Sequence, residues 1–309
     1  MADTNRGDVG PGHAKRKTFI VGAARSGTTW VRSILAEHDD VVSGPESHLF
    51  PVLFGALCEG DPKTRRELVL EAFDRRAAHR EAVAGHRPQG PHRWVDRDTI
   101  ERLLAEAEAD GLTGENAARF VIDGILENFF ARNGGSDSSV LVEKTPLHLR
   151  SADRILEWWP EARIIEVVRD GRDVCVSLAH KSKVVSWAPA DREQQIRLWI
   201  DAVRRGIELR STPQAEGRWL LVRYEDLTDD PHRGVRRLFE FSGLPADDAA
   251  IAGVVERTAF ENAKSRRPGD NHHLRKGRVG GWREEFGQED RAEFDLLAGD
   301  LLTALGYER

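Results

Sequence analysis

Three stretches of this sequence have the residue types and spacing needed to hold an anionic group, and a fourth carries a cation placed beside them. The first is FIVGAARSGTTW, Phe19 to Trp30. Gly22 and Gly27 let the backbone turn sharply and bring its N–H groups to an anion. A helix beginning near Gly27 adds the positive end of its dipole. Thr28 and Thr29 offer hydroxyls, and Arg25 offers positive charge from inside the loop. The glycine spacing is that of a nucleotide P-loop, but Thr28 stands where the lysine for the β- and γ-phosphates belongs. No GxG is present, so the dinucleotide fingerprint fails. A plain strand, turn and helix with no ligand is the alternative.

The second stretch is VVRDGRDVCVS, Val167 to Ser177. Arg169 offers a planar fork for a phosphate, Asp170 can cap a helix start, and Ser177 faces back toward the strand end. The competing reading is a structural ion pair at Arg169. The third is LRKGRVGGW, Leu274 to Trp282, where Arg275, Lys276 and the glycines from Gly277 onward make a basic loop suited to an anion, or a solvated charge run. The fourth is VEKTPLHL, where Lys144 ends a strand. Its neighbour Glu143 points to the opposite face of that strand, which disfavours an ion pair between the two.

These residues need a frame. Lys17 to Val21 reads as a short buried strand, and Gly27 to Glu37 as a helix with Trp30, Ile34 and Leu35 on one face. Val140 to Glu143, Ala162 to Val168 and Arg218 to Tyr224 read as further buried parallel strands. Arg25, Lys144, Arg169 and Tyr224 all fall at strand carboxyl ends, where open parallel sheets bind ligands. Three amphipathic stretches, at about 64–79, 98–108 and 115–132, separated by connections such as GHRPQGPHRW, read as a helical insertion over about 61–135 that faces the substrate. The expected fold is α/β: a P-loop-like three-layer α/β/α arrangement around a central parallel sheet. Residues 1–16 read as a flexible tail, and 17–309 as one domain.

Composition bounds the function. The chain has 309 residues and a formal net charge of −6, which argues against nucleic acid or a polyanion as the main partner. No apolar run approaches the roughly eighteen residues of a membrane span, and the polar N-terminus is not a secretory signal. Cys58 and Cys175, far apart, fit a reducing cytoplasm. No Cys/His spacing suits zinc, and His272 with His273 reads as loop surface. Arginine heavily outnumbers lysine, as in a bacterium with a GC-rich genome.

GAARSGTTW resembles the phosphosulfate loop of sulfotransferases that use 3′-phosphoadenosine 5′-phosphosulfate (PAPS). Cytosolic members usually carry lysine where Arg25 stands, whereas tyrosylprotein and many bacterial members carry arginine. VVRDGRDVCVS resembles the family's 3′-phosphate segment, and LRKGRVGGW its C-terminal RKGxxGxW segment. The resemblance spans residues 19–282 in family order. It implies PAPS as co-substrate and adenosine 3′,5′-bisphosphate (PAP) as product, held by Gly22, Arg25, Ser26, Gly27, Thr28, Thr29, Trp30, Arg169, Ser177, Tyr224, Arg275, Lys276 and Gly277. Trp30 would stack on the adenine, and Tyr224 would lie near it.

The implied reaction is in-line transfer of a sulfuryl group to the hydroxyl of a small metabolite, sugar or lipid, without a metal ion. Arg25 and Lys144 would carry charge to the leaving oxygen. Glu46, in SGPESHLF, matches the glutamate base of the tyrosylprotein branch. The histidine base of the cytosolic branch would fall at Pro146 and is absent. His48 and His148 are alternative bases. Leu49, Phe50, Phe54 and Trp94 could line an acceptor pocket or belong to the core. A P-loop kinase-like phosphotransferase and a non-catalytic nucleotide-binding protein are the competing functions.

Overall fold

The computed structural model describes residues 16–78, 89–259 and 278–309. Five parallel strands lie in the order β2-β3-β1-β4-β5: β1 is Lys17–Gly22, β2 Val41–Ser43, β3 Val140–Lys144, β4 Arg163–Val168 and β5 Trp219–Arg223. The central strand β1 pairs with β3 on one side, Ile20 opposite Lys144, and with β4 on the other, Gly22 opposite Val167. From β1 the chain leaves toward β2, and from β4 toward β5. The sheet therefore opens a crevice between the ends of β1 and β4, where doubly wound sheets bind ligands. The loop with Arg25 and the loop with Arg169 flank it.

The strands form because their apolar residues serve both faces alternately. Ile20, Val142, Ile165 and Val222 pack with Val31, Ile34 and Leu35 of helix α1 (Thr28–Leu35) on one face. Phe19, Val21, Leu141 and Ile164 pack on the other, against the insertion helices and Trp158. Helices cover both faces of the sheet, as the sequence implies.

The insertion comprises α2 (Pro62–Ala78), α3 (Arg97–Ala109) and α4 (Gly114–Arg132), each within a few residues of the sequence reading. Asp96 caps α3 by accepting from the Thr99 amide. Lys17, at the start of β1, donates to Glu127 of α4 at 2.9 Å, and both side chains are buried. Lys17 Nζ also lies 3.5 Å from Asp123, so two carboxylates of α4 hold this cation.

Leu49, Phe50 and Trp94 lie in the hydrophobic core, while Phe54 packs half-buried against it. Apolar side chains give the same sequence signal in core and pocket, and here Trp94 packs against Phe129 with ring centroids 4.0 Å apart.

Gly22 shows why the loop begins as it does. Its φ is 143°, and a Cβ there would sit 2.3 Å from the Val167 carbonyl oxygen across the β1–β4 pair. Gly22→Ala is expected to destabilise the protein by at least about 1–3 kcal/mol from backbone strain alone. A lowered denaturant midpoint at unchanged slope would show it, and an unchanged midpoint would contradict the close approach.

Candidate active site

The loop after β1 is a shallow cup. Arg25 (φ 73°) and Gly27 (φ 98°) both adopt left-handed conformations, which turn successive amides toward one point. Gly27 caps α1, and a Cβ there would strike the Tyr224 ring at 2.5 Å. Ser26 is fully buried, and among the described residues its hydroxyl has no hydrogen-bond partner. A buried hydroxyl without a partner is costly unless a ligand meets it.

Arg25 reaches across the crevice and donates from Nε to Ser177 Oγ at 3.0 Å. Ser177 lies on helix α6 (Gly171–Ser182), which follows β4 and is capped by Asp170; α5 is Ala152–Trp158. The loop after β1 and the segment after β4 thus meet, as the sequence placed them. Burial and the nearby Arg169 both lower the proton affinity of Arg25, with Glu46 acting in the opposite direction. Two guanidiniums close enough to repel in a buried crevice are stabilised by an anion between them.

Arg169 stacks over the Tyr224 ring, 4.5 Å from its centroid, and donates to the Arg278 carbonyl at 2.8 Å. Its nearest carboxylate, Asp173, is 3.7 Å away. Among the described residues its buried Nε has no acceptor. Asp173 instead accepts from the Gly280 and Trp282 amides, each at 2.8 Å, and so ties the VGGW end of the third basic stretch to α6. Arg275, Lys276 and Gly277 lie outside the described residues. Trp30 donates from its indole to the Thr258 carbonyl and meets Tyr224 edge-on at 5.4 Å. Tyr224 is itself buried, one ring face taken by Arg169.

The third wall is built from β3 and the turn after β2. Lys144 Nζ donates to Thr29 Oγ1 at 3.2 Å and to Glu46 Oε1, so it links the loop to the turn. His48 Nε2 lies 3.0 Å from the other oxygen of Glu46. Burial works against the charged form of Glu46, but Lys144 and then His48 outweigh it and hold the carboxyl well below its usual range. The Glu46 side chain is 26% exposed, so an acceptor can reach it. His148 is wholly buried between Phe19 and Phe50, which removes it from contact with an acceptor.

Glu143 does turn away from Lys144, as strand alternation requires. Its buried carboxylate collects the Ser47 amide, the Ser47 hydroxyl and the Thr145 hydroxyl. His148 Nδ1 is 2.8 Å from its other oxygen but out of hydrogen-bond alignment. Burial opposes its charge, yet His148 and these donors keep its carboxyl low. This network was not foreseen from the sequence. The only signal for it was the Glu143–Lys144 dipeptide with its opposed side chains.

The model of the sulfotransferase family matches residues 18–248, three quarters of the chain, and takes in the loop, Glu46, Lys144, Arg169, Ser177 and Tyr224. The chain belongs to the sulfotransferase family. It is 26% identical over 234 residues to a protein-tyrosine sulfotransferase of Drosophila melanogaster, an alignment covering 75% of this chain and 39% of that protein. It is 25% identical over 320 residues to the nodulation protein NoeE of Sinorhizobium fredii, covering 94% of this chain and 66% of that protein. The chain therefore spans between about two fifths and two thirds of the length of these relatives. Among solved structures, mouse sulfotransferase SULT7A1 complexed with PAP superposes with a TM-score of 0.52 at 14% identity, covering 93% of this chain and 85% of that one. That likeness concerns the fold. Among the described residues, no helix is long and apolar enough to cross a membrane.

Proposed function

We propose that this chain transfers the sulfuryl group of PAPS to a hydroxyl of a small metabolite, sugar or lipid, releasing PAP. The observation that carries the reading is the crevice between β1 and β4. There Arg25 and Arg169 face each other beside the unmatched Ser26 hydroxyl. The residues fit the nucleotide: the cup from Gly22 to Thr29 suits the phosphosulfate, and Arg169 with Ser177 suits the 3′-phosphate. The PAP held by mouse SULT7A1 supports the same choice.

PAPS supplies an activated sulfuryl group and a phosphate leaving group. Glu46 takes the proton of the acceptor hydroxyl, and Lys144 and Arg25 stabilise charge on the leaving oxygen. As Lys144 turns toward that charge, Glu46 loses its strongest cationic partner and its proton affinity rises. The carboxylate that is pinned in the resting site thereby becomes a better base as the donor takes its place. A sulfuryl group carries less charge than a γ-phosphate, so Arg25 and Lys144 suffice without Mg²⁺. The missing P-loop lysine at Thr28 favours this over phosphoryl transfer.

The free cysteines Cys58 and Cys175 suit a reducing cytoplasm. Burial raises the Cys175 thiol to about 12, so it is unreactive. The test is transfer of sulfur label from PAPS to pooled hydroxyl acceptors, with and without EDTA. Labelled product formed equally in both is expected. Transfer that requires Mg²⁺, or phosphoryl transfer from ATP in its place, would overturn the reading.

A further inference from the structure

Glu46 and His48 sit on a turn that the chain would not hold unaided. His48 has φ 51°, a left-handed conformation that costs free energy in a residue with a Cβ. The turn is fastened from behind. Glu143 Oε1 accepts from the Ser47 amide at 3.2 Å and from the Ser47 hydroxyl at 2.8 Å. The same oxygen accepts from the Thr145 hydroxyl at 2.7 Å, and Thr145 Oγ1 in turn accepts from the His48 amide at 3.2 Å. Glu143, Ser47 and Thr145 are buried and His48 is half-buried, whereas Lys144 leaves the end of β3 toward Glu46 and Thr29. One dipeptide thus sets both the cation and the frame of the carboxylate that it meets.

We propose that Glu143, with Thr145 as its relay, is a positioning residue for sulfuryl transfer: it sets the Glu46–His48 turn against Lys144 and touches neither nucleotide nor acceptor. This rests on Glu46 acting as the base. The pattern also accounts for why Glu143 stays charged in the core. Its three donors, all on Oε1, replace part of the water it has lost, and His148 stands 2.8 Å from the other oxygen.

The test compares the wild type with Glu143→Gln, Thr145→Val and Thr145→Ser. PAP affinity is read by calorimetry, and PAP release from PAPS with the labelled acceptor, or with water where no acceptor responds. Amide exchange at Ser47 and His48 is read with no acceptor at all. Glu143→Gln and Thr145→Val are expected to lower kcat roughly 10–100-fold through misplacement alone. Their PAP affinity should stay within about twofold, because binding is not what they serve. Exchange at Ser47 and His48 should quicken at least about 10-fold, and Thr145→Ser, which keeps the hydroxyl, should restore both turnover and protection.

Wild-type turnover and protection in Glu143→Gln and Thr145→Val would overturn the proposal. So would PAP affinity falling in step with kcat, which would make Glu143 a residue of the fold at large. A wild-type protein that binds no PAP and transfers no sulfuryl group would instead defeat the function proposed above, and the exchange data would still decide whether Glu143 holds the turn.

Discussion

Glu46→Gln is expected to lower turnover by about 10²–10⁴ while leaving PAP affinity nearly unchanged. Glutamine keeps the shape and can still accept from Lys144, so the turn should stay in place. What it loses is the ability to take a proton. The wild-type carboxyl lies well below its usual range because Lys144 and His48 outweigh the effect of burial. The sign of the pH dependence follows. Glu46 remains ionised as pH falls through the ordinary carboxylate range, so kcat/KM, which reports the free enzyme, should show no acid limb from it down to about pH 5. A base of the histidine kind would give an acid limb about two units higher than an ordinary carboxylate. A steep loss of kcat/KM below neutrality that survives Glu46→Gln would move the base to His48.

Lys144→Met should cost about 10²–10³ in kcat, the usual worth of one placed donor at a developing charge. Methionine keeps much of the volume in this buried site and removes the cation. A second consequence separates this residue from a mere packing role. Without Lys144 the largest influence holding the Glu46 carboxyl down is gone, while burial still pushes it up. Its folded value rises, so activity should be lost at a higher pH on acidification than in the wild type. A variant that is slow but has the wild-type pH profile would mean that Lys144 does not control Glu46. Loss of PAP affinity equal to the loss of kcat would mean that it binds rather than catalyses.

How far the sequence reaches can be judged from particular elements. The run from β1 through the loop to α1 was legible because a buried strand, two glycines and an amphipathic helix follow one another locally. The insertion helices were legible for the same reason: three amphipathic stretches are separated by polar, Gly/Pro/His-rich connections. Arg25, Lys144 and Arg169 fall together because strand carboxyl ends in a parallel sheet share one edge. What was not legible depends on contacts distant in sequence. Ser47 and Glu143 are ninety-six positions apart. Tyr224 is hidden under Arg169, and His148 sits in the core although its neighbours in sequence suggest a place near Lys144. Leu49, Phe50 and Trp94 gave no sign of choosing core over pocket, since both are apolar. Asp173 was unread too, because its role is to hold backbone amides of the segment near Trp282, which have no side-chain signature.

The most direct measurement is thermal unfolding with PAP, compared with ADP and with ATP plus Mg²⁺. A ligand present at a hundred times its dissociation constant adds about 2.7 kcal/mol to the folded state. PAP should raise the unfolding temperature clearly and ADP little, because only PAP carries a 3′-phosphate for Arg169 and Ser177. The shift should shrink in Arg169→Ala. Equal stabilisation by ADP, or a preference for ATP with Mg²⁺, would contradict the account of the crevice between Arg25 and Arg169.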